Sequence, residues 1–147
     1  MEIETRDFGK IDVNEDDIIK FPEGIPGFLE EKKFVLLPVA EDSPFVILQS
    51  ITTANLAFIT IEPVDIIADY EFEISDKVEK LLKIEQIEDL LIFNIATIRD
   101  SIKNMTVNLA APVVINIKKR LGKQIILDDE KYPVRAKLFT EKEKVAE

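Results

Sequence analysis

Histidine, cysteine and tryptophan are absent from this 147-residue chain, and glycine and tyrosine are scarce, at four and two. Without imidazole or thiol the chain lacks the groups that most readily move protons or attack carbon near neutral pH. Lack of cysteine also removes disulfides and zinc–thiolate sites, which is compatible with a reducing compartment. Gly9, Gly24, Gly27 and Gly122 build no phosphate loop of Walker or dinucleotide type, and neither Ser-x-x-Lys nor Gly-x-Ser-x-Gly occurs. No apolar run approaches the roughly 20 residues needed to span a bilayer. The opening Met1-Glu2-Ile3-Glu4-Thr5 has neither the basic region nor the apolar stretch of a signal peptide. These absences predict a cytoplasmic protein that is not an enzyme, holds no cofactor or metal and contacts no membrane.

Acid is abundant. Asp and Glu number 29 against 19 Lys and Arg, a formal net charge of -10. That sign opposes direct binding of nucleic acid, which needs cations to neutralise phosphate, and it favours encounter with a basic protein. The acids cluster at Asp12, Glu15, Asp16 and Asp17, at Glu30 and Glu31, at Glu41 and Asp42, at Asp69, Glu71, Glu73 and Asp76, and at Asp128, Asp129 and Glu130. Each cluster alone reads as a solvated face. Asp128-Asp129-Glu130 lacks the alternating ligands and central glycine of a calcium loop. A carboxylate-based enzyme would need a deep pocket with converging Asp or Glu, and spacing along the chain cannot place one.

A hydrophobic fraction of 46% is enough for one core. We expect one domain over residues 1–139, and a frayed tail over residues 140–147, where Lys and Glu alternate. Short runs rich in Ile, Val, Leu and Phe, separated by turn residues, predict an all-β fold: a barrel or sandwich of short strands. The expected strands are Glu2 to Thr5, Asp17 to Phe21, Phe34 to Pro38, Phe45 to Ser50, Leu56 to Ile61, Leu91 to Ile98, Met105 to Ala110, Val113 to Lys118 and Lys123 to Leu127. Alternation puts Met105, Val107 and Leu109, then Val113, Ile115 and Ile117, on the core face, with Asn108 and Asn116 opposite. A last hairpin is expected through Lys119-Arg120-Leu121-Gly122, with Gly122 free to take positive φ. Between Ser75 and Glu88 the spacing of Val78, Leu81 and Leu82 predicts one or two short helical turns, capped by Ser75.

Several segments could carry function. Phe21-Pro22-Glu23-Gly24-Ile25-Pro26-Gly27-Phe28 holds two prolines and two glycines, which predicts an ordered loop with Ile25 and Phe28 either tucked in or presented to a partner. Gln49 and Ser50 end an apolar strand and either satisfy backbone groups at a barrel rim or join a recognition surface. Lys118, Lys119, Arg120, Lys123 and Arg135 form the strongly basic cluster, which either balances nearby acid or pairs with a partner.

The Phe21 to Phe28 loop, Phe45-Val46-Ile47-Leu48-Gln49-Ser50, Asn108-Leu109-Ala110-Ala111-Pro112-Val113-Val114-Ile115-Asn116, and Arg120-Leu121-Gly122-Lys123-Gln124-Ile125-Ile126-Leu127 with Tyr132 and Arg135 together resemble the flagellar assembly factor FliW family. The resemblance runs from Met1 to about Leu138. Ala110 stands where the family commonly has arginine, so this position supplies no charged contact. The resemblance implies a small, open β-barrel of mostly antiparallel strands. It implies a protein that binds the RNA-binding translational regulator CsrA and antagonises it noncompetitively, relieving repression of flagellin translation. It also implies binding of flagellin, which takes the factor from CsrA and closes a feedback loop. The alternative is a chaperone-like flagellin binder without direct control of CsrA. Candidate partner-binding residues are Gly24, Pro26, Gly27 and Phe28 in the loop, Gln49 and Ser50 at the strand end, and Asn108, Asn116, Arg120, Tyr132 and Arg135 around the C-terminal strands.

Overall fold

The structure is a computed structural model and describes residues 1–63, 67 and 69–138. The expected tail over 140–147, and residue 139 of the expected domain, lie outside the described residues. Runs of branched and aromatic residues make most of the strands: β1 (Glu2–Thr5), β2 (Gly9–Asp12), β3 (Ile19–Lys20), β4 (Lys33–Pro38), β5 (Phe45–Ser50), β6 (Ala57–Ile61), β7 (Leu90–Thr97), β8 (Thr106–Val107), β9 (Val113–Asn116), β10 (Leu121–Gln124) and β11 (Ala136–Lys137). The one α-helix among the described residues, α1, spans Asp76–Leu81.

β1 and β2 form a separate hairpin. The other strands follow the order β11-β8-β7-β6-β5-β4-β3-β10-β9, and β7 also pairs β9, from Leu90 opposite Asn116 to Phe93 opposite Val113. An open barrel was expected, but this second edge of the long strand β7 closes a ring of seven: β7, β6, β5, β4, β3, β10 and β9. Closure leaves the ring without a free edge. The pairings are antiparallel except β10 with β3, where Leu121 lies opposite Lys20 and Lys20 N donates to Arg120 O at 2.9 Å.

Ile19, Phe34, Leu48, Phe93, Val113 and Ile115 from five strands meet in one cluster, joined by Phe21 and Ile25 from the loop after β3. Phe21 meets Phe34 edge to face, with centroids 5.2 Å apart. Each such fully buried side chain contributes roughly 1.5–3 kcal/mol. A second cluster gathers Ile61, Ala96, Met105, Val107, Leu109 and Tyr132, and a third joins Val78 and Leu82 of the helical segment to Val114.

Ser75 caps α1, accepting a bond from Val78 N at 3.2 Å, as its place before the apolar spacing predicts. Because the helical segment lies over the outer side of β9, that strand is buried on both faces, and Val114 and Asn116 are inaccessible although alternation put Asn116 opposite the core. Ile117, expected in the core, is 38% exposed. The strand stops before it because Asn116 Oδ1 accepts from Lys118 N and Lys119 N, at 3.1 and 3.3 Å, and turns the chain. The run from Met105 gives only the two-residue β8, since Asn108 Oδ1 accepts from Ala110 N at 3.0 Å and bends the backbone out of the ladder.

Gly122 does not take positive φ. Arg120 does, at 55°, and Gly122 sits inside β10 opposite Ile115, where a Cβ would stand 2.6 Å from the Phe21 ring. Residues 125–127 leave β10 but stay beside 110–112, with Ile125 N donating to Pro112 O and Leu127 N to Ala110 O. Pro112 has no N–H to return, so the ladder ends. Neither β2 nor β11 was expected, because each is short and owes its form to its partner strand rather than to an apolar run.

Candidate functional site

The loop between β3 and β4 is ordered by its prolines and glycines. Ile25-Pro26-Gly27-Phe28 is a type II turn, with proline at its second position and Gly27 at φ 89° in its third. Phe28 N donates to Ile25 O at 2.6 Å, and Ile25 N donates back to Phe28 O at 3.3 Å. Gly24, at φ 70°, approaches the backbone so closely that a Cβ would lie 2.4 Å from Leu29 O. Of the two alternatives, Ile25 is tucked into the core and Phe28 is presented at 43% exposure beside Leu29 at 64%. Phe28 rests edge-on against Phe58, with centroids 5.6 Å apart. Lys123 Nζ, 2.5 Å from Glu23 Oε1, ties the loop to β10. The hydrogen bond and charge of Lys123, aided by Lys77, hold the Glu23 carboxyl below its ordinary value.

Gln49 and Ser50 are inaccessible, and Ser50 reaches this loop from beneath. Gln49 Nε2 donates to Ser50 O, Ala54 O and Leu56 O, while its Oε1 accepts from Arg6 N at 3.0 Å. Ser50 Oγ donates to Glu31 Oε1 at 2.6 Å, and Glu31 N donates to Phe28 O at 3.1 Å. Gln49 and Ser50 thus fix the 51–56 turn and the far side of the loop.

The remaining candidates lie elsewhere. Asn116 Nδ2 donates to Leu82 O at 2.8 Å and Lys83 O at 3.1 Å, closing the end of α1. Arg120 is half-buried at the β9–β10 turn with Nη2 3.8 Å from Asp17 Oδ1. Lys118 pairs with Asp89 and Lys119 with Glu85, so four of the five basic residues sit against acid. Asn108 is half-buried at its bend, Tyr132 is buried, and Arg135 is exposed with no ion pair among the described residues. The candidates therefore divide into a loop end, a hairpin turn and a group near β8, and do not form one patch. Those at the surface are Pro26, Gly27, Phe28 and Arg135.

One feature escaped sequence reasoning. An open groove of about 1230 Å³ runs between residues 70–79 and residues 125–131, floored by Leu90 and Ile92 of β7 and by Ile84. Its rim carries Glu71, Glu73, Glu79, Asp128 and Asp129 against a single Lys131. Two acidic clusters far apart in the chain are thereby brought to one place; the alternation Tyr70-Glu71-Phe72-Glu73-Ile74 was its signal in the sequence. Tyr70 and Tyr132 pack at one end, edge to face with centroids 4.7 Å apart. Tyr70 Oη donates to Leu109 O and accepts from Asn94 Nδ2 at 3.2 Å. Burial pushes the Tyr70 phenol above its ordinary value, against the opposing bond from Asn94. No group of three or more potential metal-ligating side chains converges among the described residues, and none of their helices is long and apolar enough to cross a membrane.

Comparison with known proteins gives a consistent result. The family model described as FliW protein matches residues 2–138. The flagellar assembly factor FliW of Geobacillus sp. (strain WCH70) is 48% identical over 142 residues, covering 97% of this chain and 98% of that protein. That of Bacillus subtilis (strain 168) is 44% identical over 135 residues, covering 92% and 94%. A crystal structure of a flagellar assembly factor FliW superposes with a TM-score of 0.91 at 44% identity, covering 97% of this chain and 99% of that one.

Proposed function

This chain belongs to the FliW family of flagellar assembly factors, which are not enzymes, and on that premise we propose that it binds two proteins in turn, CsrA and flagellin. Bound to CsrA in the cytoplasm, it disfavours the regulator's grip on messenger RNA without occupying the RNA-binding face. Newly made flagellin then withdraws the factor, and repression returns. The observation that carries this reading is an apolar pair, Phe28 and Leu29, exposed on a loop that Ser50 holds from below through Glu31, on a chain of net charge -10. A rigid apolar anchor is what a protein-binding hot spot requires. The negative field attracts a basic protein and raises the free energy of phosphate held nearby.

Of the candidate residues, Phe28, Pro26, Gly27 and Arg135 are proposed to touch a partner, and Arg120 to contact one from the hairpin turn. Gly24, Gln49, Ser50, Asn108, Asn116 and Tyr132 are proposed to act by holding those surfaces in shape. Phe28→Ala is expected to weaken binding to CsrA or flagellin by about tenfold or more, near 1.4 kcal/mol, in a variant that stays folded. Arg120→Asn, which tolerates the left-handed backbone, tests the turn in the same way. Unchanged affinities in both folded variants would remove these residues from the contact surface. A chaperone-like flagellin binder without direct control of CsrA would retain flagellin and ignore CsrA.

A further inference from the structure

Residues 70–74 belong to no strand or helix and pair with no strand among the described residues. Their burial alternates, with Phe72 and Ile74 half-buried against the Val78, Leu82 and Val114 cluster and Glu71 and Glu73 exposed. The segment is anchored at both ends: Glu71 N donates to Tyr132 Oη at 2.9 Å, and Ser75 O accepts from Glu79 N at 2.9 Å. Between those anchors the main-chain N–H and C=O groups of Phe72, Glu73 and Ile74 find no partner among the described residues. A segment tied at its ends, with side chains alternating inward and outward and free main-chain hydrogen-bonding groups, is a template for another strand. Its ordering cost has been met in folding.

From this geometry we infer that residues 70–74 are a docking edge for an extended segment of a partner protein in which Lys or Arg alternates with apolar residues. This rests on the reading of the chain as a protein-binding factor and names where and how one partner is held. The segment adds a strand along the edge, sets its apolar side chains on the groove floor at Leu90 and Ile92, and sets its cations against Glu71 and Glu73. The rim of five acids and one lysine matches that charge. A helix, whose main-chain groups are already bonded, would leave the edge unsatisfied. A second copy of this chain would set Glu71 and Glu73 against the same acids, which is destabilising. Residues 140–147 of this chain carry three Glu and two Lys with Val145 their only branched apolar residue, and complement the edge poorly.

The test is hydrogen exchange at the Phe72, Glu73 and Ile74 amides, with a short capped peptide alternating lysine and valine as probe. Binding should slow exchange at those amides. The double variant Glu71→Lys, Glu73→Lys should weaken binding by about tenfold or more, since it turns two cross-strand attractions into repulsions. The same peptide N-methylated along the edge that would face residues 70–74 keeps its charge and should not bind. Equal binding of the N-methylated peptide, binding with exchange unchanged, or no binding would each overturn the inference. So would protection that rises with protein concentration alone, or a gain of about tenfold on truncation after Leu138, because a second copy or the chain's own end would then be the occupant. CsrA and flagellin are measured in parallel. Complexes that form and leave all three amides unprotected would overturn the docking edge and spare the proposed function. A peptide captured as described by a chain that binds neither protein would do the reverse.

Discussion

Gly24→Ala and Gly27→Ala should differ sharply in cost although both glycines have positive φ and lie in one loop. At Gly27 nothing stands within 4 Å of an added Cβ, so the penalty is that of the left-handed backbone, about 1 kcal/mol. At Gly24 the same backbone cost is joined by a collision, with the Cβ 2.4 Å from Leu29 O and 2.7 Å from Leu29 Cα. Backbone cannot rotate aside as a flexible side chain can, and overpacking of this kind adds roughly 1–3 kcal/mol. The expected losses are about 1 kcal/mol for Gly27→Ala and about 2–4 kcal/mol for Gly24→Ala. For a chain of this length each kcal/mol lowers Tm by roughly 3–4 °C. Urea unfolding followed by circular dichroism measures both, and a shifted midpoint at constant slope identifies a change of stability. Displacing Leu29 also moves Phe28, so Gly24→Ala should weaken partner binding beyond its effect on folding. Equal stability of the two variants would refute the close approach, and with it the account of how the loop is shaped.

Other consequences can be checked independently. Asn116→Ala removes one donor and one acceptor that serve two carbonyls and two amides, and should destabilise by about 1–3 kcal/mol in the same unfolding assay; a neutral result would show that solvent reaches those groups. The Glu23 carboxyl is depressed by Lys123, so its contribution to stability is present above the ordinary value of 4.5 and is lost as pH falls through the depressed one; Lys123→Met should flatten that part of the acid titration of stability. The Tyr70 phenol is raised, so its contribution is present below the ordinary value of 10.0 and is lost as pH rises through the raised one; ultraviolet titration should show a late tyrosinate that Tyr70→Phe abolishes.

Much of the fold was legible because local pattern and tertiary context agree. β1 and β5 begin and end where the runs of Glu2 to Thr5 and Phe45 to Ser50 do, and Ser75 caps the helix its position announced. Some misreadings are local, where the Asn108 and Asn116 side chains turn the backbone after themselves, and the others come from a partner distant in sequence. Asn116 is buried because the helical segment covers β9, Gly122 is needed by Phe21 a hundred residues earlier, and the long β7 closes the ring by pairing on both edges. The loop at Phe28 was legible as an ordered element through its prolines and glycines. The groove was not, because its two acidic walls, at Glu71 and Glu73 and at Asp128 and Asp129, are joined only by the closed barrel.

Partner exchange is the central claim, and a three-component binding measurement tests it most directly. Purified chain is bound to CsrA at low ionic strength, flagellin is titrated in, and the species are followed by light scattering after size separation while CsrA occupancy of its messenger RNA is read in parallel. The account predicts that CsrA leaves the chain as flagellin binds, that RNA binding by CsrA recovers, and that added salt slows the first association. A folded chain that retains neither protein, or flagellin binding that leaves CsrA in place, would contradict it.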